Sequence, residues 1–232
     1  MSRDLSRRTI EEERMDAPDL DPRVYAAVLA GLATVNRVTL AARPTLDFLA
    51  RAMQGRTTLR LLDVGYGQGD MLRAIARWAE KRGIAATLVG IDLNPNSAPS
   101  AAAATPAGMV IDYRTGDYAA LADEPWDVVI SSLVAHHMSE EQLIAFLRFM
   151  EAHGRLGWFI NDLHRHRFAY HGFPLLAALF GWHPIVRHDG RLSIARSHRP
   201  DEWPPLLAAA GIPPGARAVR YFPFRLCVAR LR

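Results

Sequence analysis

Residues 59–70 read Leu-Arg-Leu-Leu-Asp-Val-Gly-Tyr-Gly-Gln-Gly-Asp, and this stretch limits the folding options of the 232-residue chain more than any other. Leu59, Leu61, Leu62 and Val64 form an apolar run of strand length, glycines follow at 65, 67 and 69, and an amphipathic helix begins near Met71. Glycine lets the backbone take positive φ and lets a ligand approach without meeting a Cβ, while the first N–H groups of the helix stay free. A nucleotide-like ligand suits such a turn better than no ligand at all. The dinucleotide fingerprint places its third glycine three positions after the second, where this chain has Asp70, and Gly69 arrives one residue early. Asp63, two residues before the first glycine, would repel a dinucleotide phosphate but can meet the cationic amino group of an amino-acid ligand.

Half of the residues are apolar, and a chain of this length buries one sizeable core, so a single α/β domain is expected. Cys227 is the one cysteine, which excludes an internal disulfide and a thiolate cluster; it lies in an alternating apolar run and reads as core filler. The amino terminus is charged (Arg3, Asp4, Arg7, Arg8, Glu11, Glu12, Glu13), without a signal's apolar segment, and no window approaches a membrane span. A soluble cytoplasmic protein is the expectation. The formal charge of +4 is unevenly spread: residues 155–232 carry 12 basic and 4 acidic side chains, and six of the nine histidines lie between 155 and 199. An acidic substrate or surface is one reading; arginines on a solvated face are the plainer one.

Asp63-x-Gly65-x-Gly67-x-Gly69 resembles motif I of the class I S-adenosylmethionine-dependent methyltransferases. Three downstream segments resemble that family in the right order: Leu88-Val89-Gly90-Ile91-Asp92 with Leu93, Gly116-Asp117-Tyr118, and Trp126 to Ser132. The resemblance implies a Rossmann-like, seven-stranded, mostly parallel sheet with helices on both faces and an antiparallel last strand. It also implies that S-adenosyl-L-methionine is the cofactor and S-adenosyl-L-homocysteine the product. Asp63, Gly65, Tyr66, Gly67 and Gly69 would then cradle the methionine side, Asp92 and Leu93 the ribose, Asp117 and Tyr118 the adenine, and Ser131 the end of the fourth strand.

Along the chain, residues 1–21 form a polar segment in which a short charged helix and an extended turn are expected and no chemistry is visible. The resemblance implies a single methyltransferase domain over 22–232, with leading helices expected in 22–55 (apolar spacing over 23–41, then 44–53) and a helical lid insertion at 162–186. Asn36 and Arg37 sit where leading helices often close a cleft. The third strand is expected at 109–113, the fifth at 156–160, a helix opening at Arg199 and ending at Gly211, and a terminal hairpin turning at Pro223.

Ser131-Ser132-Leu133-Val134 lacks the polar-Pro-Pro-aromatic sequence typical of enzymes that methylate nucleic-acid bases, so nucleic acid is not the expected partner. Asn161-Asp162 imitates half of the metal site of catechol-type enzymes, but the other acid is missing, and no metal is expected. The segment 131–138 is similar to small-molecule methyltransferases of quinone biosynthesis and of polyketide pathways. The acceptor implied is a small aromatic molecule, methylated on oxygen if phenolic or polyketide-like, or on carbon if quinone-type; a cofactor-retaining binding or cyclisation protein is the third reading. His137, His164 and His171 are the candidate bases, since histidine titrates near neutrality. Peripheral membrane contact through residues 173–186 is conceivable, and the oligomeric state is open.

Overall fold

The computed structural model describes residues 4–232, so Arg3 of the charged amino-terminal segment lies outside the described residues. Two helices, α1 (Pro22–Val38) and α2 (Ala42–Ala52), lead into alternating strands and helices: β1 (Thr58–Val64), α3 (Asp70–Glu80), β2 (Ala85–Asp92), α4 (Ser97–Ala104), β3 (Asp112–Thr115), β4 (Trp126–Ser132), α5 (Glu140–His153) and β5 (Gly154–Leu163). The chain then forms a helix pair, α6 (Arg167–Leu179) and α7 (Pro184–Arg196), a short α8 (Trp203–Ala209), and the hairpin β6 (Arg217–Tyr221) and β7 (Arg225–Leu231).

The seven strands lie in the order β3-β2-β1-β4-β5-β7-β6. β1 through β5 pair in parallel, and β7 runs antiparallel between β5 and β6. This is the Rossmann-like sheet expected from the sequence. Period-two alternation explains why both faces are covered. Leu59 and Leu61 of β1 pack under α2 and α3 with Phe48, Leu72 and Ile75, whereas Leu62 and Val64 face the opposite core with Phe146, Leu147 and Trp203 of α5 and α8. α5 begins on a capping box: the Ser139 hydroxyl accepts from the Gln142 N–H (3.2 Å) and the Gln142 side chain accepts from the Ser139 N–H (2.8 Å).

Strand order reverses between β1 and β4, so the connections leave their carboxyl ends in opposite directions and open a crevice there. α1, α6 and α7 roof that crevice through their own small core of Val28, Val35, Ala177, Trp182 and Val186.

Several expectations need correcting. The third strand is Asp112–Thr115 rather than 109–113, because it must pair with Val89–Asp92 to stay in register. The lid region holds two helices and runs to Arg196; α7 was missed because its apolar residues are diluted by His188, Asp189, Gly190 and Arg191. Residues 4–13 form no helix, and only Arg14–Asp16 makes a 3-10 turn. Among the described residues, no single helix is long and apolar enough to cross a membrane.

Candidate functional site

A cavity of about 850 Å3 fills the crevice above β1, β2 and β4. Its floor is the turn after β1. Gly65 has φ +76° and a Cβ there would come within 2.3 Å of Val134; Gly69 has φ +73° and a Cβ there would meet the Tyr113 hydroxyl at 2.5 Å. Both positions therefore require glycine for conformation and for space. The Gly67 N–H donates to Asp92 Oδ2 (2.9 Å) and the Asn94 N–H to Oδ1 (2.9 Å), which holds the carboxylate at the cavity wall. Burial raises the Asp92 pKa, and these two N–H groups oppose it.

Asp63 is different. It lines the cavity at 1% exposure, and neither carboxylate oxygen has a partner. Burial, with Asp70 and Asp92 nearby, pushes its pKa well above the usual carboxylate range. An unpaired buried carboxylate is costly, so a cationic group in the cavity would stabilise it.

Gly65, Tyr66, Gly67, Leu93 and Tyr118 share the cavity with Asp63 and Asp92. Tyr66 is buried against Tyr113 with ring centroids 5.0 Å apart, and its hydroxyl has no partner. Three of the proposed cofactor residues do not line it. Gly69 serves as the left-handed N-cap of α3, and Ser131 donates from Oγ to the Val64 carbonyl (2.9 Å), joining β4 to β1. Asp117 is exposed and caps the short turn at Tyr118 by accepting from the Ala119 N–H (2.8 Å). Leu133, also in the wall, takes φ +62°, a conformation costly for a side chain without a polar tip.

The far side of the cavity is built from elements distant in sequence. Apolar walls come from Leu29 and Leu32 of α1 and from Phe168, Phe173 and Leu176 of α6. Arg225 also faces it, buried, with Nη2 donating to Asn36 Oδ1 (3.2 Å) and Nη1 unpartnered. Asn36 in turn donates to Asp70 Oδ2 (3.1 Å).

Of the three candidate bases, only His137 lines the cavity. His164 is buried beside the His166 ring, and burial together with Arg220 lowers its pKa to about 4. His171 lies on the exposed face of α6. The periodicity that placed them in a lid could not show which face each would occupy.

Sequence reasoning missed the residues around His137. Residues 4–16 run across the lid as a strap that carries Glu13 into the cavity, 4% exposed. The strap is fastened along its length. The N–H groups of Arg14 and Met15 donate to buried Asp189 of α7 (3.1 and 2.9 Å), and Arg196 donates to the Glu11 carbonyl (2.8 Å). Arg8 donates to the carbonyls of Arg196 (2.6 Å) and His136 (3.1 Å), and lies 2.9 Å from His198 Nε2. Burial and Arg8 hold the His198 pKa down at about 3, so that its ring stays neutral and accepts from Arg8.

His136, the neighbour of His137, is buried. Its N–H donates to Asp162 Oδ2 (2.9 Å) and its ring Nδ1 lies 2.7 Å from Oδ1. Burial opposes protonation of this ring, but Asp162 and Glu13 outweigh it and raise the pKa to about 9; His136 in turn draws Asp162 down to about 2 against its own burial. The Asn161-Asp162 pair is thus no cation site: Asn161 donates to the Ala41 carbonyl (2.7 Å) and Thr45 (3.0 Å), and Asp162 orients a histidine.

The model of a methyltransferase domain matches residues 61–157. Three solved structures share the fold. One is a SAM-dependent methyltransferase from Aquifex aeolicus (TM-score 0.60, 17% identity, covering 91% of this chain and 98% of that one). Another is magnesium protoporphyrin IX methyltransferase from Synechocystis with bound SAH (0.55, 17%, 94% and 91%). The third is human N-acetylserotonin methyltransferase in complex with SAM (0.59, 16%, 91% and 56%). No curated protein matches at a significant level. The domain match runs over the glycine turn and the first parallel strands, where the chain is similar to a methyltransferase domain, and the solved structures share the fold of the whole sheet.

Proposed function

We propose that the chain methylates an oxygen of a phenolic or polyketide-like small molecule, and that Asp63, Asp92 and the glycine turn hold the cofactor. The observation that carries this reading is Asp63: a buried carboxylate with both oxygens bare, at the wall of a cavity large enough for two ligands. The amino group of the methionine moiety is the cation that would pair with it. Asp92, the more exposed carboxylate at the end of β2, would accept from the ribose hydroxyls, and Tyr118 would pack against the base. When bound, S-adenosylmethionine supplies a methyl group activated by a sulfonium.

The remaining work is done by side chains of the far wall. Leu29, Phe168, Phe173 and Leu176 would exclude water and hold an apolar ring in line behind the methyl. Arg225, buried with one nitrogen unpartnered, favours an acceptor that carries an oxygen anion or carbonyl. His137 would take the acceptor proton, with Nδ1 set 3.1 Å from Asp16 and Nε2 facing the cavity cluster.

The test is incubation with cofactor carrying a 13C-labelled methyl and a panel of phenols and hydroxyquinones, read by NMR. A methyl ether signal is the expected product. A new ring-carbon methyl would select the C-methylation reading, and cofactor binding without any transfer would select a non-methylating protein.

A further inference from the structure

Around Glu13 lies an arrangement that a proton-accepting histidine does not account for. Glu13 Oε1 stands 3.5 Å from His136 Nε2 and 3.8 Å from His137 Nε2, and one ligand atom from each of the three residues lies within 4.8 Å of the other two. Each imidazole has its other nitrogen against a carboxylate: His136 Nδ1 on Asp162 at 2.7 Å, His137 Nδ1 on Asp16 at 3.1 Å. With Nδ1 of each ring turned to its outer carboxylate, both Nε2 atoms face the Glu13 oxygen, and a metal ion bound there would replace the proton that His136 Nε2 holds toward Glu13 in the metal-free chain.

Against the expectation of a metal-free cleft, we propose that Glu13, His136 and His137 bind one divalent transition-metal ion, with zinc the best match to the donor set, and leave a coordination position open to the cavity. Two imidazoles and a carboxylate are the ligand set of zinc sites that keep one open position. For metal–ligand bonds of 2.0–2.1 Å, neighbouring ligand atoms in a tetrahedron stand about 3.3 Å apart, so the observed 3.5 and 3.8 Å separations need only a slight contraction. Asp162 and Asp16 occupy the positions that outer carboxylates take behind metal-bound histidines, where they fix the tautomer and raise ligand basicity. Glu13 is steadied as well, because Ser193 Oγ donates to the same oxygen at 2.8 Å. All three ligands line the cavity, so the open position faces the acceptor side. Mg2+ and Ca2+ are excluded by the nitrogen ligands, since both prefer oxygen shells.

The role of the open position rests on the methyltransferase reading. An acceptor oxygen taken there would lose its proton to solvent on coordination, and its electron pair would form the bond to the methyl carbon. The carbon–sulfur bond would break with its pair retained by sulfur. His137 would then act as a ligand rather than a base, and a metal would supply the lowered hydroxyl pKa.

The test uses the full chain, stripped of metal by chelator and dialysed, and titrated with Zn(II) against a chromophoric chelator. The same chain is loaded with Co(II) for visible absorption. One ion per chain is expected, with Co(II) bands of a low-coordinate site. Both Glu13→Gln and His137→Ala should bind Zn(II) about tenfold more weakly or worse, while saturable binding of S-adenosylhomocysteine persists, because Asp63 and Asp92 are untouched. His137 is partly exposed, so its variant keeps the fold, and a melting curve verifies this. His166→Ala should bind as the parent does. Substoichiometric binding, or equal binding by His137→Ala and the parent, overturns the proposal in favour of surface imidazoles. Zinc bound with no affinity for S-adenosylhomocysteine would uphold the site and remove the methyltransferase reading; the reverse result would remove only the metal.

Discussion

Asp63 and Asp92 are two carboxylates on neighbouring strands with opposite environments. Asp92 is held by two backbone N–H groups, whereas Asp63 has no partner and keeps its proton to a higher pH. A ligand ammonium requires the ionised form of Asp63, so binding should expel a proton and affinity should rise with pH through the titration of the free protein. Calorimetry with S-adenosylhomocysteine in buffers of different ionisation enthalpy measures this directly. The observed enthalpy should track the buffer for the parent chain and lose that dependence in Asp63→Asn. Asp92→Ala removes charged hydrogen bonds and should weaken binding by about 2 kcal/mol, roughly thirtyfold; an unchanged affinity would show that Asp92 does not touch the ligand.

The strap and the helix pair α6–α7 close the site from above. The strap has little cohesion of its own, since its contacts run to groups far away in sequence, Asp189, Arg196 and His198 among them. Sequence reading could not have found them: Glu11 to Asp16 looks like a solvated charged run, and its partners exist only after α7 folds. By contrast β1, the glycine turn and α3 were legible because their signals are local, a period-two run followed by a helical one. The paired histidines at 136 and 137 were visible as a feature, but the choice between them depended on burial. Asp189→Ala removes the acceptor for two strap N–H groups and leaves them bare against the lid. The expected outcome is faster amide exchange confined to about residues 8–16, with exchange in β1 and β4 unchanged. Uniform acceleration across the sheet would instead mark Asp189 as a support of the whole fold.

At the scale of the molecule, part of the positive charge of the second half is spent inside, on Arg165, Arg196 and Arg225. Arg165 bonds the carbonyls of Leu5 and Ser197 and pairs with Glu202, and Arg230 and Arg232 pair with Glu151. The solvated-face reading fits the exposed arginines, such as Arg167, Arg187 and Arg217, but not Arg165, Arg196 and Arg225, which are internal fasteners whose partners the linear sequence hides. Two buried histidines set the acid limit. His164 and His198 titrate near 4 and 3 in the folded chain, below the value of about 6.5 that an unfolded histidine has. The unfolded state therefore binds more protons as pH falls, and stability should decline from about pH 6.5 downward until both folded groups titrate. Urea midpoints between pH 7 and pH 4 should show this slope, and His198→Gln should flatten it.

The fold, the glycine turn and the carboxylates at the strand ends all converge on one claim, that the crevice holds S-adenosylmethionine through Asp63. Isothermal titration of the purified chain with S-adenosylhomocysteine, beside Asp63→Ala, tests it most directly. One ligand per chain, with affinity falling at least about tenfold in the variant as the loss of a charged hydrogen bond requires, is the predicted result. No saturable binding, or equal affinity in the two proteins, would contradict it.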